Sequence, residues 1–291
     1  MLVIPAMAAT QDAADPSADE PERVRPLFDE GKLLATGGVS QVEGAGGGGL
    51  ATWAVIGGYG TADGIGITAH ETFVGLRSFN LNSAGVAVGL YDRVELSYAH
   101  QSFDTRATGA ALGLGKGFTF DENVVGAKLR LFGQLVYDQS WLPQTAIGLQ
   151  YKSNDRGDIL KAVGAKDTDG VDFYAAATKL LLSESVLVSG TLRMTKANQF
   201  GILGFGSAKD DSYQPEFEGS AAYLISKRFA IGADYRTKPN NLGFAEQNAY
   251  DLFAAYFLDK HASLTLAYVD LGSIATRKDQ DGVYASLQLG F

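Results

Sequence analysis

The sequence predicts an all-β fold: one antiparallel up-and-down barrel with an oily outer wall, suited to crossing a membrane. Three observations predict it. Alternating apolar and polar runs fill the chain from Trp53 onward, and no helix-period segment of convincing length competes with them. Connections between the runs alternate short and long, the layout of a transmembrane barrel with tight turns on one side and longer loops on the other. The closing stretch "DGVYASLQLGF" sets Val283, Ala285, Leu287, Leu289 and Phe291 on one face of a strand.

The elements follow in order. Residues 1–9 hold a short apolar piece and an A-x-A-like cleavage site at Ala6-Met7-Ala8, the expected remnant of a secretory signal peptide whose basic front is missing. Residues 10–31 are rich in acid, Pro and Ala, cannot bury much apolar surface, and are expected to form a flexible periplasmic segment. The barrel is expected over 32–291. Its runs are Trp53–Tyr59, Ile65–Ser78, Gly85–Tyr91, Val94–Phe103, Val124–Val136, Thr145–Lys152, Val171–Leu182, Val186–Lys196, Tyr213–Ile225, Arg228–Thr237, Ala249–Leu258, Ala262–Leu271 and Gly282–Phe291. With the C-terminus on the periplasmic side, these thirteen runs require one more, because single-chain bacterial barrels carry an even number of strands. Lys32–Glu43 supplies it, and the glycine run Gly44–Gly49 becomes the first external loop. Fourteen strands are therefore expected, and twelve if a run proves to be a loop excursion.

A soluble sandwich would also alternate. Three features favour a membrane wall. The runs are mostly long enough to cross tilted, at about 9–11 residues or more. Aromatics gather at their ends, as in interfacial girdles: Tyr59, Phe79, Tyr91, Phe103, Tyr137, Trp141, Tyr151, Phe173, Tyr235 and Tyr268. The polar faces carry full charges, which a wet lumen holds far more cheaply than a dry core. Those candidate pore-lining residues are Glu95, Lys128, Arg130, Lys152, Arg193, Glu216, Glu218, Asp234 and Arg236. Lys128, Arg130 and Lys152 would form a basic wall, facing acids further round, and the resulting transverse field would sort solutes. About fourteen strands leave more room than side chains fill, so a channel is favoured over ion pairs that plug the barrel, with 104–123 and 153–170 as candidate constriction loops.

Composition excludes other classes. The net charge of -9 argues against nucleic acid, which needs a basic face. The absence of cysteine rules out thiol catalysis, zinc–cysteine sites and disulfides. His70, His100 and His261 show no metal-ligand spacing. "GLGKGF" (Gly113–Phe118) lacks the order of a phosphate loop. "KDTDGVD" and "KDQDGVY" lack the order of a calcium loop. No cofactor and no metal are expected.

Two resemblances add to this reading. The final strand, with Val283, Leu287, Leu289 and terminal Phe291, resembles the C-terminal signal of Gram-negative outer-membrane barrels, which implies recognition by the barrel-assembly machinery. The pieces "GGVSQVEGAGGGGLATWAVIGGYGT" and "GVAVGLYDRVELSYAHQSFDT" make residues 30–291 resemble a family of uncharacterised Gram-negative outer-membrane proteins known only as a domain of unknown function. That resemblance implies location and fold and brings no catalytic residues. Barrel phospholipases use a Ser–His pair on the outer wall, so His100 with Ser102 is the one enzymatic pair on offer, without a G-x-S-x-G frame to support it.

The expected role is therefore a non-enzymatic, porin-like passive channel for small polar solutes, integral to the outer membrane and in contact with its lipids and lipopolysaccharide. The alternatives are a non-conducting structural or docking barrel that binds an envelope partner, and a lipid-modifying barrel.

Overall fold

The computed structural model describes residues 27–28, 31–37, 39–137, 141–244 and 246–291. The signal remnant and most of the acidic segment lie outside the described residues. Alternation decides the architecture: each strand has one apolar and one polar face, and closing the sheet on itself turns all apolar faces outward. The barrel strands are β1 (Ile65–Leu76), β2 (Asn80–Leu90), β3 (Val94–Asp104), β4 (Thr119–Phe132), β5 (Gln144–Asn154), β7 (Asp169–Leu181), β8 (Val186–Thr195), β10 (Gln214–Ser226), β11 (Phe229–Arg236), β12 (Ala249–Phe257), β13 (Ala262–Asp270) and β14 (Asp281–Gly290). Two short strands, β6 (Ala165–Asp167) and β9 (Phe205–Ser207), pair with each other outside the barrel. Successive barrel strands are antiparallel neighbours, and β1 closes on β14 with Thr68 opposite Gly290 and Leu76 opposite Gly282.

Twelve strands close the barrel, in place of the fourteen expected first and matching the twelve expected if a run proved to be a loop excursion. Every run from Ile65 onward becomes a barrel strand, with ends shifted by a few residues. The two N-terminal candidates do not. Lys32–Glu43 and Trp53–Tyr59 take no place in the wall, and Gly44–Gly49 is not an external loop. All three belong to one segment, residues 32–60, that enters the lumen. The wall thus begins at Ile65 rather than at residue 32.

The outer wall is a belt of exposed apolar side chains, among them Phe73, Leu96, Val125, Leu192, Phe217, Leu252, Leu266 and Val283. A belt of this kind, with every backbone polar group paired around a closed sheet, is what hydrocarbon demands of a spanning structure. The girdle expectation holds for Tyr91, Tyr137, Trp141, Tyr151, Phe173, Tyr235 and Tyr268, which are exposed. It fails for three residues. Tyr59 lies buried in the inserted segment, while Phe79 and Phe103 pack against each other inside the barrel mouth at a ring separation of 5.0 Å.

The two rims differ. At one, here the terminal rim, the inserted segment meets the end of β14: Tyr59 N and Ile67 N both donate to Phe291 O at 2.8 Å. The turns β2–β3, β4–β5, β7–β8, β10–β11 and β12–β13 lie on this side. The opposite, loop rim carries the helices α1 (Arg106–Ala111) and α2 (Gly157–Ala162), the β6–β9 sheet and a short 3₁₀ turn at Asn198–Gly201. Leu76, Phe79, Leu81, Phe103 and Phe120 from the wall join Leu160, Ile202, Leu271 and Ile274 from the loops in one apolar cluster there.

Candidate functional site

The site is the lumen and the segment that fills it. Residues 32–60 form a re-entrant loop whose two stems leave by the same rim. Lys32 N donates to Tyr59 O at 3.3 Å and Gly58 N to Gly37 O at 2.7 Å, so the stems run side by side. Between them almost every residue from Ser40 to Tyr59 is buried. The glycines are needed where the loop touches the wall. A Cβ on Gly48 would come within 2.4 Å of Asp234 Oδ2, and Gly58 combines φ +84° with a Cβ position 2.3 Å from the backbone of β1.

The wall charges hold this loop. Lys128 Nζ lies 3.0 Å from Glu95 Oε1 and donates to the carbonyls of Gly46 (3.0 Å) and Val55 (2.8 Å). Glu95 in turn accepts from Gly46 N at 3.0 Å and Gly57 N at 2.7 Å. Glu218 accepts from Thr52 N at 2.7 Å and from Arg193 Nε at 2.5 Å. Arg193 also reaches Gln150 (2.6 Å), Asp172 (3.2 Å) and the Thr52 hydroxyl (2.8 Å). Asp234 accepts from Leu50 N (3.0 Å) and Ala51 N (3.3 Å). Backbone groups of an irregular loop must be paired once buried, and here the barrel wall supplies the partners that a sheet or helix would otherwise give.

Glu43 is the loop's own charge in the bore. It lies 2.6 Å from Lys152 Nζ and 3.1 Å from the Arg236 guanidinium. Lys152 is completed by Asp172 at 2.9 Å and the Phe200 carbonyl at 2.8 Å. The Phe200 ring covers the Arg236 guanidinium at 4.2 Å, so the turn at Asn198–Gly201 caps the loop from the opposite rim. The four cations Lys128, Lys152, Arg193 and Arg236 thus face the four paired acids Glu43, Glu95, Asp172 and Glu218, all buried.

The nine candidate pore-lining residues therefore divide. Glu95, Lys128, Lys152, Arg193, Glu218, Asp234 and Arg236 converge on the inserted loop. Arg130 stands apart at the terminal rim, 2.5 Å from Asp92, which also binds Lys32 at 2.7 Å. Glu216 is half-buried near the loop rim, where the Thr237 hydroxyl donates to it. Lys128, Arg130 and Lys152 do not act as one basic wall, since each has a separate acidic partner. Among the described residues, the inserted loop lies against these charges where an open bore would put solvent. Cavities beside the loop are small: about 50 Å3 along Val39, Gly48 and Phe253, about 80 Å3 beside Lys32, Thr36 and Val55, and about 30 Å3 beside Val42 and Phe200. The expected constriction loops stay at the rim, where 153–170 contributes Leu160 to the apolar cluster.

Sequence reading missed Glu43 and Asp172. Inward parity with Tyr174 and Thr178 on β7 marks Asp172 as a lumen charge, whereas nothing local marks Glu43. The loop between β11 and β12 adds another buried pair. Lys238 Nζ lies 3.4 Å from Glu246 and donates to Leu271 O at 2.6 Å. Burial pulls the Lys238 ammonium down to about 8, with Glu246 opposing the shift. Val283, Leu287, Leu289 and Phe291 all lie exposed on the outer side of β14 and beyond.

A family model described as "Protein of unknown function (DUF3034)" matches residues 36–288. The chain belongs to the DUF3034 family. The match runs from within the inserted segment to within β14. A search of curated proteins finds no match. Several solved barrels are similar at low identity. Outer membrane phospholipase A from Escherichia coli is 12% identical with a TM-score of 0.46, covering 80% of this chain and 94% of that one. The COG4313 outer membrane channel from Pseudomonas putida F1 is 13% identical with a TM-score of 0.44, covering 78% and 93%. The outer membrane protein Omp33 of Acinetobacter baumannii is 7% identical with a TM-score of 0.41, covering 78% and 96%.

Proposed function

We propose that this DUF3034 chain is an outer-membrane barrel of a Gram-negative bacterium that does not conduct at rest, its bore being stopped by its own residues 32–60. It is a barrel whose working surfaces are its wall and rims. One observation carries the reading: seven of the nine charges that would sort solutes in an open pore are instead ion-paired or hydrogen-bonded to the inserted loop. Small polar solutes pass only if that loop withdraws. The wall meets membrane lipids, and lipopolysaccharide where it faces the outer leaflet. The strand ending at Phe291 serves recognition by the barrel-assembly machinery.

Planar-bilayer recording of refolded full-length protein tests this. Silence from the wild type, with openings once residues 36–57 are deleted, is the expected result. Steady ohmic openings of the wild type would restore the passive channel and reject the sealed barrel.

A further inference from the structure

The outer wall of β2–β4 breaks its apolar pattern close to the loop rim. The ladder sets Glu71 opposite Ala84, Ala84 opposite His100 and His100 opposite Asn123, one row across the wall. The next row toward the loop rim holds Asn82, Ser102 and Asp121, again as direct partners. Glu71, Asn82, His100 and Asn123 are exposed, and Ser102 is half-buried on the same face. Polar side chains turned to lipid are costly and usually functional, and here they are of complementary kinds.

His100 Nδ1 lies 3.1 Å from Asn123 Oδ1, which also accepts from the Tyr98 hydroxyl at 2.8 Å. A ring whose Nδ1–H is held on an amide oxygen keeps its Nε2 lone pair for use as a base. Ser102 is two residues along the same face, a Cα separation of about 6.6 Å, which an imidazole and a hydroxymethyl group together span. Asn82 stands directly across from Ser102, with Cβ atoms about 5 Å apart in such a pair. Ser102 is also two residues from the end of β3 at Asp104. For a rise of about 3.3 Å and a tilt of about 40°, that puts it roughly 5 Å inside the strand end. An apolar belt about 25 Å tall leaves this position near the belt's edge, on the side of the lipid ester groups.

We infer that Ser102, His100 and Asn123 form an acyl-ester hydrolase site on the outer wall, with membrane lipid esters as substrate and Asn82 as the oxyanion donor. Nucleophile, base and orienting group stand in the order that such chemistry requires. Ser102 Oγ attacks the ester carbonyl carbon as its proton passes to His100 Nε2, and the Asn82 amide donates to the oxyanion. The ester C–O bond breaks, and His100 returns the proton to the departing glycerol oxygen, leaving a lysolipid and acyl-Ser102. Water then gives a proton to His100 and its oxygen to the acyl carbon. Fatty acid leaves and the Ser102 hydroxyl is restored. Asn123 acts through the ring it holds and is a positioning residue. The site uses the wall alone, so it stands or falls apart from the state of the lumen.

The test uses the full refolded chain in mixed micelles with diacyl phosphatidylethanolamine carrying a labelled acyl chain. It is run with and without calcium, because the carboxylates of Asp104 and Asp121 occupy neighbouring outward positions. A long-chain alkyl sulfonyl fluoride supplies a second readout, its adduct mapped by mass spectrometry. Heat-shifted mobility verifies that each variant is folded. Labelled fatty acid should be released by the wild type, with Ser102→Ala down about 10³-fold or more and Asn82→Ala about 10²-fold. Asn123→Ala should lower kcat by up to about 10²-fold at unchanged KM, and Asn123→Asp, which keeps the acceptor, should recover it. The adduct should fall on Ser102. Release that is equal in wild type and Ser102→Ala overturns the site. So does folded wild-type protein that yields neither fatty acid nor a Ser102 adduct under either calcium condition.

Discussion

Replacing Glu43 by Ala removes the one charge that the inserted loop brings to the centre of the bore. Its carboxylate is 2.6 Å from Lys152 and 3.1 Å from Arg236. Taking one partner from a buried ion pair costs about 3–5 kcal/mol, because the other charge stays behind without compensation. The low end applies here. Lys152 keeps Asp172 at 2.9 Å, and Arg236 keeps a longer contact with Glu218 at 3.5 Å. The loss falls on the inserted state alone, since a withdrawn loop would expose Glu43 and open the bore to water. About 3 kcal/mol then multiplies the withdrawn population roughly a hundredfold. Planar-bilayer recording should show Glu43→Ala opening about a hundred times as often as the wild type, while Glu43→Gln, which keeps the shape and one acceptor, falls between. In a Trp141→Phe background Trp53 is the single tryptophan, and its buried indole should become accessible to a soluble quencher in the same order. If Glu43→Ala leaves both opening frequency and quenching at wild-type values, the ion pairs do not hold the loop and the argument fails.

Other outcomes follow from the same geometry. Lys238 has a folded value of about 8, below its ordinary 10.5, so between those values the unfolded chain binds more protons and stability rises with pH. Lys238→Met should remove this slope between pH 8 and pH 10, read as the midpoint of heat-shifted mobility in urea; parallel wild-type and variant curves would contradict it. Leu266 projects into the apolar belt from mid-β13. Leu266→Arg should destabilise the barrel by about 2–4 kcal/mol in urea unfolding from lipid vesicles, and a loss under 1 kcal/mol would argue against that face meeting hydrocarbon. Removing Phe291 deletes a ring stacked on His261 at 5.2 Å and the carbonyl that receives Tyr59 N and Ile67 N. The assembled fraction should drop in membranes and in refolding alike, and an unchanged yield would deny that residue a part in closure.

Alternation made the wall legible. On β4, Val125, Ala127 and Leu129 against Gly126, Lys128 and Arg130 state which face looks outward, and the structure agrees. The inserted loop was misread for the same physical reason. Trp53, Val55 and Tyr59 share one parity as on a wall strand, because a segment lying between charged strands also has to satisfy two unlike neighbours. Periodicity reports how many environments a segment meets, not whether one of them is lipid. The contacts that decide the matter are remote: Glu43 and Arg236 are 193 positions apart, and no local pattern couples them. Phe79 and Phe103 sit at strand ends as girdle residues do, yet face inward, since position along a strand does not fix parity. On the outer wall, the spacing of His100 and Ser102 was visible, but Asn82 and Asn123 join them only through the ladder register.

The parallel stems of the re-entrant loop also set how it would respond to force. Both leave by one mouth, so tension on the chain ahead of Lys32 draws along the barrel axis. The Lys32 contact to Asp92 at 2.7 Å would take the load first, and the deeper tethers would release one after another, as in peeling tape. Pressure from the opposite mouth meets the Phe200 turn and the apolar cluster at the loop rim instead. Such a stopper has a handle on one side only.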